Sequence, residues 1–190
     1  MRIGIFGGTF DPPHVGHLLS AGDAAEALAL DRIVFVPAAE QPLKRGTVEA
    51  SPVARLEMVR RLAGDDPRFE VDPVEIERGG LSFTVDTLRL FRERWREDRD
   101  LALFLLLGAD AVATLPKWRE PDAVIALAEV VVLTRADGGE ASPAGVRRVA
   151  TRRVDVSSTE IRARVRAGKS IHGFVPDAVA EYIAGHRLYR

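Results

Sequence analysis

Residues 2–17, with the sequence RIGIFGGTFDPPHVGH, join a short apolar segment to two glycines and then to a pair of histidines. The segment Arg2–Phe6 has the composition of a buried strand, and Val15–Leu28 has the apolar spacing of a helix. In doubly wound α/β sheets, a strand that continues through glycines into a helix forms a phosphate site. The glycines let a ligand approach the backbone, and the helix opening offers free N–H groups to an anion.

The rest of the chain continues this alternation of strand and helix patterns. The pattern predicts a single α/β domain, 1–190, with an open, mostly parallel sheet and helices on both faces. Short C-terminal helices (about 158–190) should pack on it. A loop is predicted over 136–145. The further predicted strands are Arg32–Val36, Phe69–Val71 with an extension towards Ile76, Leu101–Leu107, Glu129–Leu133 and Arg152–Val156. Four further helices are predicted. One begins at Ser51–Pro52 and ends near Leu62, and the next begins at Thr84 and reaches Trp95. The third begins at Ser157–Ser158 and ends near Ala167, and the fourth covers Asp177–Ala184.

Composition excludes several classes of protein. Lys and Arg total 27 against 28 Asp and Glu, a net charge of -1, which argues against a nucleic-acid binder because such proteins carry a basic surplus. The absence of cysteine excludes disulfides and thiolate metal sites and suits a reducing, cytoplasmic location. We see no signal peptide and no apolar stretch near the roughly 20 residues of a membrane span, so we expect no membrane association.

His14 and His17 are three residues apart and therefore share one face of the first helical turn. Beside a helix N-terminus they form a donor cluster that suits a polyphosphate. The spacing lacks both the GxGxxG fingerprint of dehydrogenases and the GxxxxGK[ST] P-loop, which disfavours both classes. Two surface histidines, or a metal site, are the alternatives. A zinc site needs about three protein ligands, whereas only Asp11 is close in sequence, so we predict no protein metal site.

A second strand-to-helix junction occurs late in the chain, at VSSTEIR, residues 156–162. The hydroxyls of Ser157, Ser158 and Thr159, with the free N–H groups of the helix opening, provide another anion site. Arg162 lies one turn into that helix and can reach a phosphate with its fork of donors. The alternative is an ordinary helix cap with a solvent-facing arginine.

The pair GGTFDPPHVGH and VSSTEIR resembles the nucleotidyltransferase superfamily that carries the HxGH signature, and the resemblance extends from Arg2 to about Tyr189. It implies a Rossmann-like fold and ATP as a substrate, accompanied by Mg²⁺. Class I aminoacyl-tRNA synthetases are distant relatives, but they have a second lysine-rich loop that this chain lacks. By the resemblance, the catalytic residues are His14, His17 and Arg162, and the ATP-binding residues are Gly7, Gly8, Thr9, Phe10, Gly16, Gly108, Asp110, Ser157, Ser158 and Thr159.

The middle of the chain indicates the acceptor. GLSFTVDT, residues 80–87, resembles the S-Y-T-x-x-T segment of bacterial nicotinate-mononucleotide adenylyltransferases, with Phe83 in place of the usual tyrosine. Thr84 opens a helix whose N–H groups suit a carboxylate, although it could be only a cap. Trp118, in LPKW, offers a flat face to a pyridine ring, although ordinary packing would also explain it. The resemblance makes Lys44, Phe83, Thr84, Thr87 and Trp118 the acceptor-binding residues; Lys44 could equally be a solvated loop lysine.

We expect the product to be deamido-NAD and pyrophosphate, formed when the acceptor's 5′-phosphate attacks the α-phosphorus of ATP directly. A phosphate monoester is mostly ionised near pH 7, so no general base is needed, and the two imidazoles would neutralise the charge that builds on the α-phosphate. Nicotinamide mononucleotide and phosphopantetheine are alternative acceptors, and phosphopantetheine adenylyltransferases lack the SFTVDT and LPKW features. An ATP-binding sensor and a metal-dependent hydrolase are further alternatives. Relatives often self-associate, which leaves a homo-oligomer open.

Overall fold

A six-stranded parallel sheet is the centre of the molecule in the computed structural model, which describes residues 1–44, 46–135 and 145–190. The strand order is β3–β2–β1–β4–β5–β6. Because the chain moves outward from β1 in one direction and from β4 in the other, the switch point of this sheet lies between these two strands, where doubly wound proteins bind ligands. The strands are β1 (Arg2–Gly8), β2 (Arg32–Pro37), β3 (Phe69–Val71), β4 (Ala102–Gly108), β5 (Glu129–Arg135) and β6 (Val146–Thr151).

Helices cover both faces of the sheet, as the sequence predicts. One apolar cluster packs residues of α1, α2, α7 and α8 against the sheet, and a second packs residues of α4, α5 and α6 against its other face. The strand β4 is apolar throughout because it is buried between the two clusters. The helices are α1 (Val15–Ala27), α2 (Pro52–Ala63), α3 (Val74–Arg78), α4 (Thr84–Arg94), α5 (Ala109–Thr114), α6 (Pro121–Leu127), α7 (Ser158–Arg166) and α8 (Asp177–Gly185).

Local capping signals place two helix starts correctly. Ser51 accepts a hydrogen bond from the Ala54 N–H with Pro52 as the first helical residue, and Ser157 accepts one from the Glu160 N–H. Thr84 is different, because the cap position belongs to Phe83 and Thr84 is already helical. The interpretation of Thr84 as a cap is therefore wrong.

Two predicted strands differ from the structure. The extension of β3 towards Ile76 is wrong, because the Asp72 carboxylate accepts the Val74 N–H at 2.9 Å and starts α3 instead. The last strand is Val146–Thr151 rather than Arg152–Val156. The backbone N–H of Arg152 donates to Asp23 at 2.8 Å, and the strand ladder ends there.

The predicted loop 136–145 lies outside the described residues except for Gly145. The short helices α5 and α6 were not predicted. None of the described helices is long and apolar enough to cross a membrane.

Candidate active site

The turn after β1 depends on Gly8 and Phe10. Phe10 has a φ of 52°, in the left-handed region, and its buried ring folds back beneath the strand end. A Cβ atom on Gly8 would lie 2.9 Å from the Phe10 Cζ atom, so only glycine fits above the ring. Because the Phe10 side chain is buried, a ligand would meet its backbone, and the ring supports the His17 imidazole at a centroid distance of 5.0 Å.

His14 and His17 form a stacked pair at the opening of α1. Their ring centroids are 3.8 Å apart, and the His14 backbone N–H donates to the Nδ1 atom of His17 at 3.1 Å. A Cβ atom on Gly16 would lie 3.0 Å from the His14 Nδ1 atom. The intervening glycine is therefore what lets the two imidazoles stack, a role beyond the predicted access for ligand.

Burial determines the charge of His14. Desolvation lowers the pKa of His14 to about 4, and its Nδ1 atom is buried without a hydrogen-bond partner. In the free protein near pH 7, His14 is neutral. It can therefore offer a phosphate a hydrogen bond rather than the positive charge that we expected from it.

We expect acid to destabilise the fold through His14. Between about pH 6.5 and pH 4 the unfolded chain binds a proton at this residue that the folded chain does not. The contribution of neutral His14 to the free energy of unfolding is fully present above pH 6.5. As the pH falls to 4, the free energy of unfolding decreases by up to about 3 kcal/mol. Urea unfolding at about pH 7 and pH 4.5 measures this loss. His14→Asn should show a smaller loss than the wild type, and equal losses would contradict the assignment.

The opening of α7 lies against the same turn. The Ser158 hydroxyl donates to the Pro12 carbonyl at 2.7 Å, and the Arg162 Nη1 atom donates to the Asp11 carbonyl at 2.8 Å. The structure thus brings the late serine-rich junction next to the residues that lead into His14. Ser157 is occupied as the cap of α7, and Thr159 is exposed in its first turn.

Arg162 is already paired in this structure. Its Nε atom contacts a Glu49 carboxylate oxygen at 2.8 Å, and Arg166 contacts the other oxygen at 2.8 Å. Arg162 is therefore not a solvent-facing arginine, as the alternative interpretation has it. It is also not a cation without a partner, because it pairs with Glu49. A phosphate that binds Arg162 would share it with Glu49.

Asp11 is a structural residue of this turn. It is buried, and its carboxylate accepts hydrogen bonds from the N–H groups of Glu49 and Ala50 and from the Tyr189 hydroxyl. Within residues 1–44, 46–135 and 145–190, no three His, Cys, Asp or Glu side chains are grouped as metal ligands would be.

A cavity opens beyond the carboxyl ends of β1, β2 and β4, at the switch point of the sheet. Six of the predicted site residues line it, and its rim includes Gln41 and Lys117. Gly108 and Asp110 are exposed at the end of β4, beside the cavity but not in its wall. The Lys44 side chain lies outside the described part of the structure. The six residues are Gly7, Gly8, Phe83, Thr84, Thr87 and Trp118.

Trp118 is held at the cavity wall by a hydrogen bond from its Nε1 atom to the Thr114 hydroxyl, 3.0 Å. It lies in the short polar segment that joins a 3₁₀ turn, Leu115–Lys117, to α6. The Arg119 guanidinium lies 4.9 Å from the Phe83 ring centroid. Phenylalanine thus supplies a ring face to a neighbouring cation, a contact that does not need the phenol usual in the family.

Sequence reasoning missed several residues around this cavity. The buried carboxylate of Glu75 accepts a hydrogen bond from the Thr87 hydroxyl at 2.6 Å, so the proton of Thr87 is committed within the protein. The buried guanidinium of Arg55 donates to the carbonyls of Thr9, Ala38 and Ala39. Both are charged residues on the apolar faces of their helices, which is the one signal that could have revealed them.

Comparisons with known proteins agree with this geometry. The chain matches the model of the cytidylyltransferase-like family over residues 5–164. It is 54% identical to a Gemmatimonas aurantiaca protein named "Probable nicotinate-nucleotide adenylyltransferase", over 100% of this chain and 93% of the relative. A Thermus thermophilus protein of the same name is 44% identical over 100% of both chains.

Solved structures share the fold. The nicotinic acid mononucleotide adenylyltransferase of Plasmodium falciparum, complexed with NaAD, has a TM-score of 0.80 to this chain at 16% identity, over 99% of this chain and 97% of the other. At that identity the likeness concerns the arrangement of strands and helices alone.

Proposed function

Because this chain belongs to the cytidylyltransferase-like family, and within it to the nicotinate-nucleotide adenylyltransferases, we propose that it joins ATP and nicotinate mononucleotide to give nicotinate adenine dinucleotide and pyrophosphate. The protein is a nucleotidyltransferase of NAD biosynthesis. Its cytoplasmic location stays a prediction, and a homo-oligomer stays open.

One observation carries the proposal: the cavity and the histidine turn are joined by the same strand end. Gly7 and Gly8 line the cavity, and the chain then runs directly into the turn that presents His14 and His17. An acceptor with its ring against Trp118 would lie with its phosphate towards that turn. ATP would occupy the space between the turn and the neighbouring opening of α7.

Each substrate then has its own set of side chains and backbone groups. The carboxylate of nicotinate would receive N–H groups from the first turn of α4, which have no partner within the helix. We assign ATP to Gly7, Gly8, Thr9, Phe10, Gly16, Gly108, Asp110, Ser157, Ser158 and Thr159, and the acceptor to Lys44, Phe83, Thr84, Thr87 and Trp118. Among the acceptor residues, Thr87 would act through Glu75, because its hydroxyl already donates its proton to the Glu75 carboxylate.

The reaction is a single in-line displacement. An oxygen of the acceptor's 5′-phosphate forms a bond to the α-phosphorus of ATP, the bond from that phosphorus to the bridging oxygen breaks, and pyrophosphate leaves. His14 and His17 would donate hydrogen bonds to the α-phosphate, and Arg162 would hold the departing phosphates. Catalysis rests on positioning and charge stabilisation, as in other phosphoryl transfers. Mg²⁺ would enter with ATP and offset phosphate charge.

Pyrophosphate release tests the function directly. ATP and MgCl₂ are held constant, and nicotinate mononucleotide, nicotinamide mononucleotide or phosphopantetheine is supplied as acceptor. We expect the highest kcat/KM with nicotinate mononucleotide. Release only with phosphopantetheine would support the alternative acceptor class, and ATP binding without release with any acceptor would support a nucleotide sensor.

Trp118→Ala should weaken acceptor binding selectively. Loss of an aromatic face from a stacked ring costs about 1–3 kcal/mol, so the KM for nicotinate mononucleotide should rise about tenfold while the KM for ATP changes little. Trp95→Ala is the matched control, because Trp95 packs on Phe91 and is not in the cavity wall. An acceptor KM equal to that of the wild type would remove Trp118 from the acceptor site.

A further inference from the structure

Glu75 is a buried acid in the wall of the acceptor cavity, and it has no direct part in the proposed phosphoryl transfer. It lies in the first turn of α3 with 7% of its surface exposed. Its Oε1 atom accepts the Thr87 hydroxyl at 2.6 Å, and the Ser82 hydroxyl also hydrogen-bonds to it. Burial is the largest influence on this group and raises the pKa of Glu75.

These two hydroxyls bracket the opening of α4. Ser82 stands two residues before Thr84, and Thr87 is one turn beyond it. Ser82 is itself fixed to the end of β2, because the Ala39 N–H donates to its hydroxyl at 2.9 Å. One carboxylate therefore holds both sides of the short segment whose free N–H groups face the acceptor.

The charge of this carboxylate also acts on the acceptor ring. Nicotinate and nicotinamide mononucleotides carry the same pyridinium and the same 5′-phosphate, and differ only in a carboxylate against a carboxamide. The attraction of Glu75 for the pyridinium is thus common to both acceptors. The two acceptors therefore differ in one electrostatic respect: the Glu75 carboxylate repels the carboxylate of nicotinate mononucleotide but not the neutral carboxamide of nicotinamide mononucleotide.

Resting on the proposed function, we propose that Glu75 is a specificity-determining residue: it positions the α4 opening through Ser82 and Thr87, and its negative charge limits the preference for nicotinate over nicotinamide mononucleotide. This choice between acceptors is a difference of two affinities, so a repulsive group is as effective as an attractive one.

The test is the ratio of kcat/KM for nicotinate mononucleotide to kcat/KM for nicotinamide mononucleotide. Glu75→Gln keeps the shape and one acceptor oxygen but removes the charge. It should raise this ratio about tenfold or more at neutral pH, because two unit charges about 12 Å apart already interact by that much at an effective dielectric constant of about 20. Glu77→Gln is the matched control, because Glu77 lies exposed on the same helix. It should leave the ratio unchanged.

The pH profile provides a readout that a purely structural role would not change. Acid protonates Glu75, so the wild-type ratio should rise as the pH falls, whereas the ratio of Glu75→Gln should stay flat. The other charged groups near Glu75 are Arg78 on α3, Asp86 on α4, and Lys117 and Arg119 at the cavity rim. They are present in both proteins, and the acceptor phosphate is present in both substrates, so their effects cancel.

Thr87→Val supplies an independent variant that keeps the acid but removes one of its two hydroxyl donors. The carboxylate loses stabilisation, so the rise of the ratio should move to higher pH and the KM for both acceptors should increase. A wild type that is active with nicotinate mononucleotide, together with a ratio that is unchanged or lower in Glu75→Gln, would overturn the proposal for Glu75 alone. A wild type without pyrophosphate release from any pyridine mononucleotide would overturn the proposed function and this inference together.

Discussion

Replacing His17 with alanine is expected to lower kcat by about two orders of magnitude or more, with much smaller changes in the KM of either substrate. That is the scale of losing one preorganised donor aimed at charge in a transition state. His17 is preorganised here because Nδ1 accepts the backbone N–H of His14, which places the proton of the neutral ring on Nε2. Contacts with Phe10 and Phe6 then fix the ring plane.

The control for this experiment is His186→Ala. His186 is exposed, stacks on Tyr182 and contacts its carbonyl oxygen, away from the cavity. Steady-state kcat and both KM values are measured for the two variants by varying ATP or nicotinate mononucleotide while the other substrate is saturating. A loss of tenfold or less in His17→Ala would be inconsistent with a transition-state donor and would leave the ring as packing for Phe10.

Signals confined to a few neighbouring residues predicted the fold well. These signals are Gly7–Gly8 at the end of β1, Ser51–Pro52 at the start of α2 and Ser157–Ser158 at the start of α7. Glycine turns and helix caps act over about one turn of chain, so adjacent residues reveal them. The all-apolar run of β4 likewise predicts a strand covered on both faces.

Elements fixed by distant partners were mistaken or missed. Residues 146–151 (VRRVAT) and 152–156 (RRVDV) both mix valines with arginines. Only pairing with β5, from Val130 opposite Val146, selects the first segment. The helices α5 and α6 have 6 and 7 residues, too few for a periodic pattern to develop. Local sequence carries neither kind of information.

The site shows the same division. The histidines and the serine-rich junction could be predicted because each is a contiguous motif. The Tyr189–Asp11 hydrogen bond, between residues 178 positions apart, could not. Glu75 and Arg55 belong to no motif that points to the site, yet Arg55 precedes Met58, Val59 and Leu62 on the buried side of α2. A cation at that position is a detectable anomaly.

Arg55 joins the two halves of the site through backbone carbonyls. Its guanidinium donates to Thr9 at 2.7 Å, Ala38 at 2.6 Å, Ala39 at 2.8 Å and Ala50 at 3.2 Å, and it is 1% exposed. Thr9 belongs to the phosphate turn, whereas Ala38 lines the acceptor cavity. Burial lowers the pKa of Arg55, but a guanidinium remains charged in proteins.

Arg55→Met should therefore lower the free energy of unfolding by about 4 kcal/mol, because four carbonyls, two of them buried and two partly buried, lose a charged donor at once. For a chain of this size the melting temperature should fall by roughly 10 °C. Arg55→Lys should recover only part of the loss, since an ammonium cannot reproduce the planar fork that reaches all four oxygens. Thermal and urea unfolding measure both variants.

The matched control is Arg60→Met on the same helix, where the side chain is 53% exposed and pairs with Glu57. Such a pair contributes about 0–1 kcal/mol, so the control should stay close to the wild type. A loss below about 1 kcal/mol in Arg55→Met, or full recovery by lysine, would mean that water or a shift of the loops satisfies these carbonyls. Since the same guanidinium holds the phosphate turn and the edge of the acceptor cavity, we also expect Arg55→Lys, where it folds, to raise the KM for ATP and for the acceptor together, whereas Trp118→Ala affects the acceptor alone.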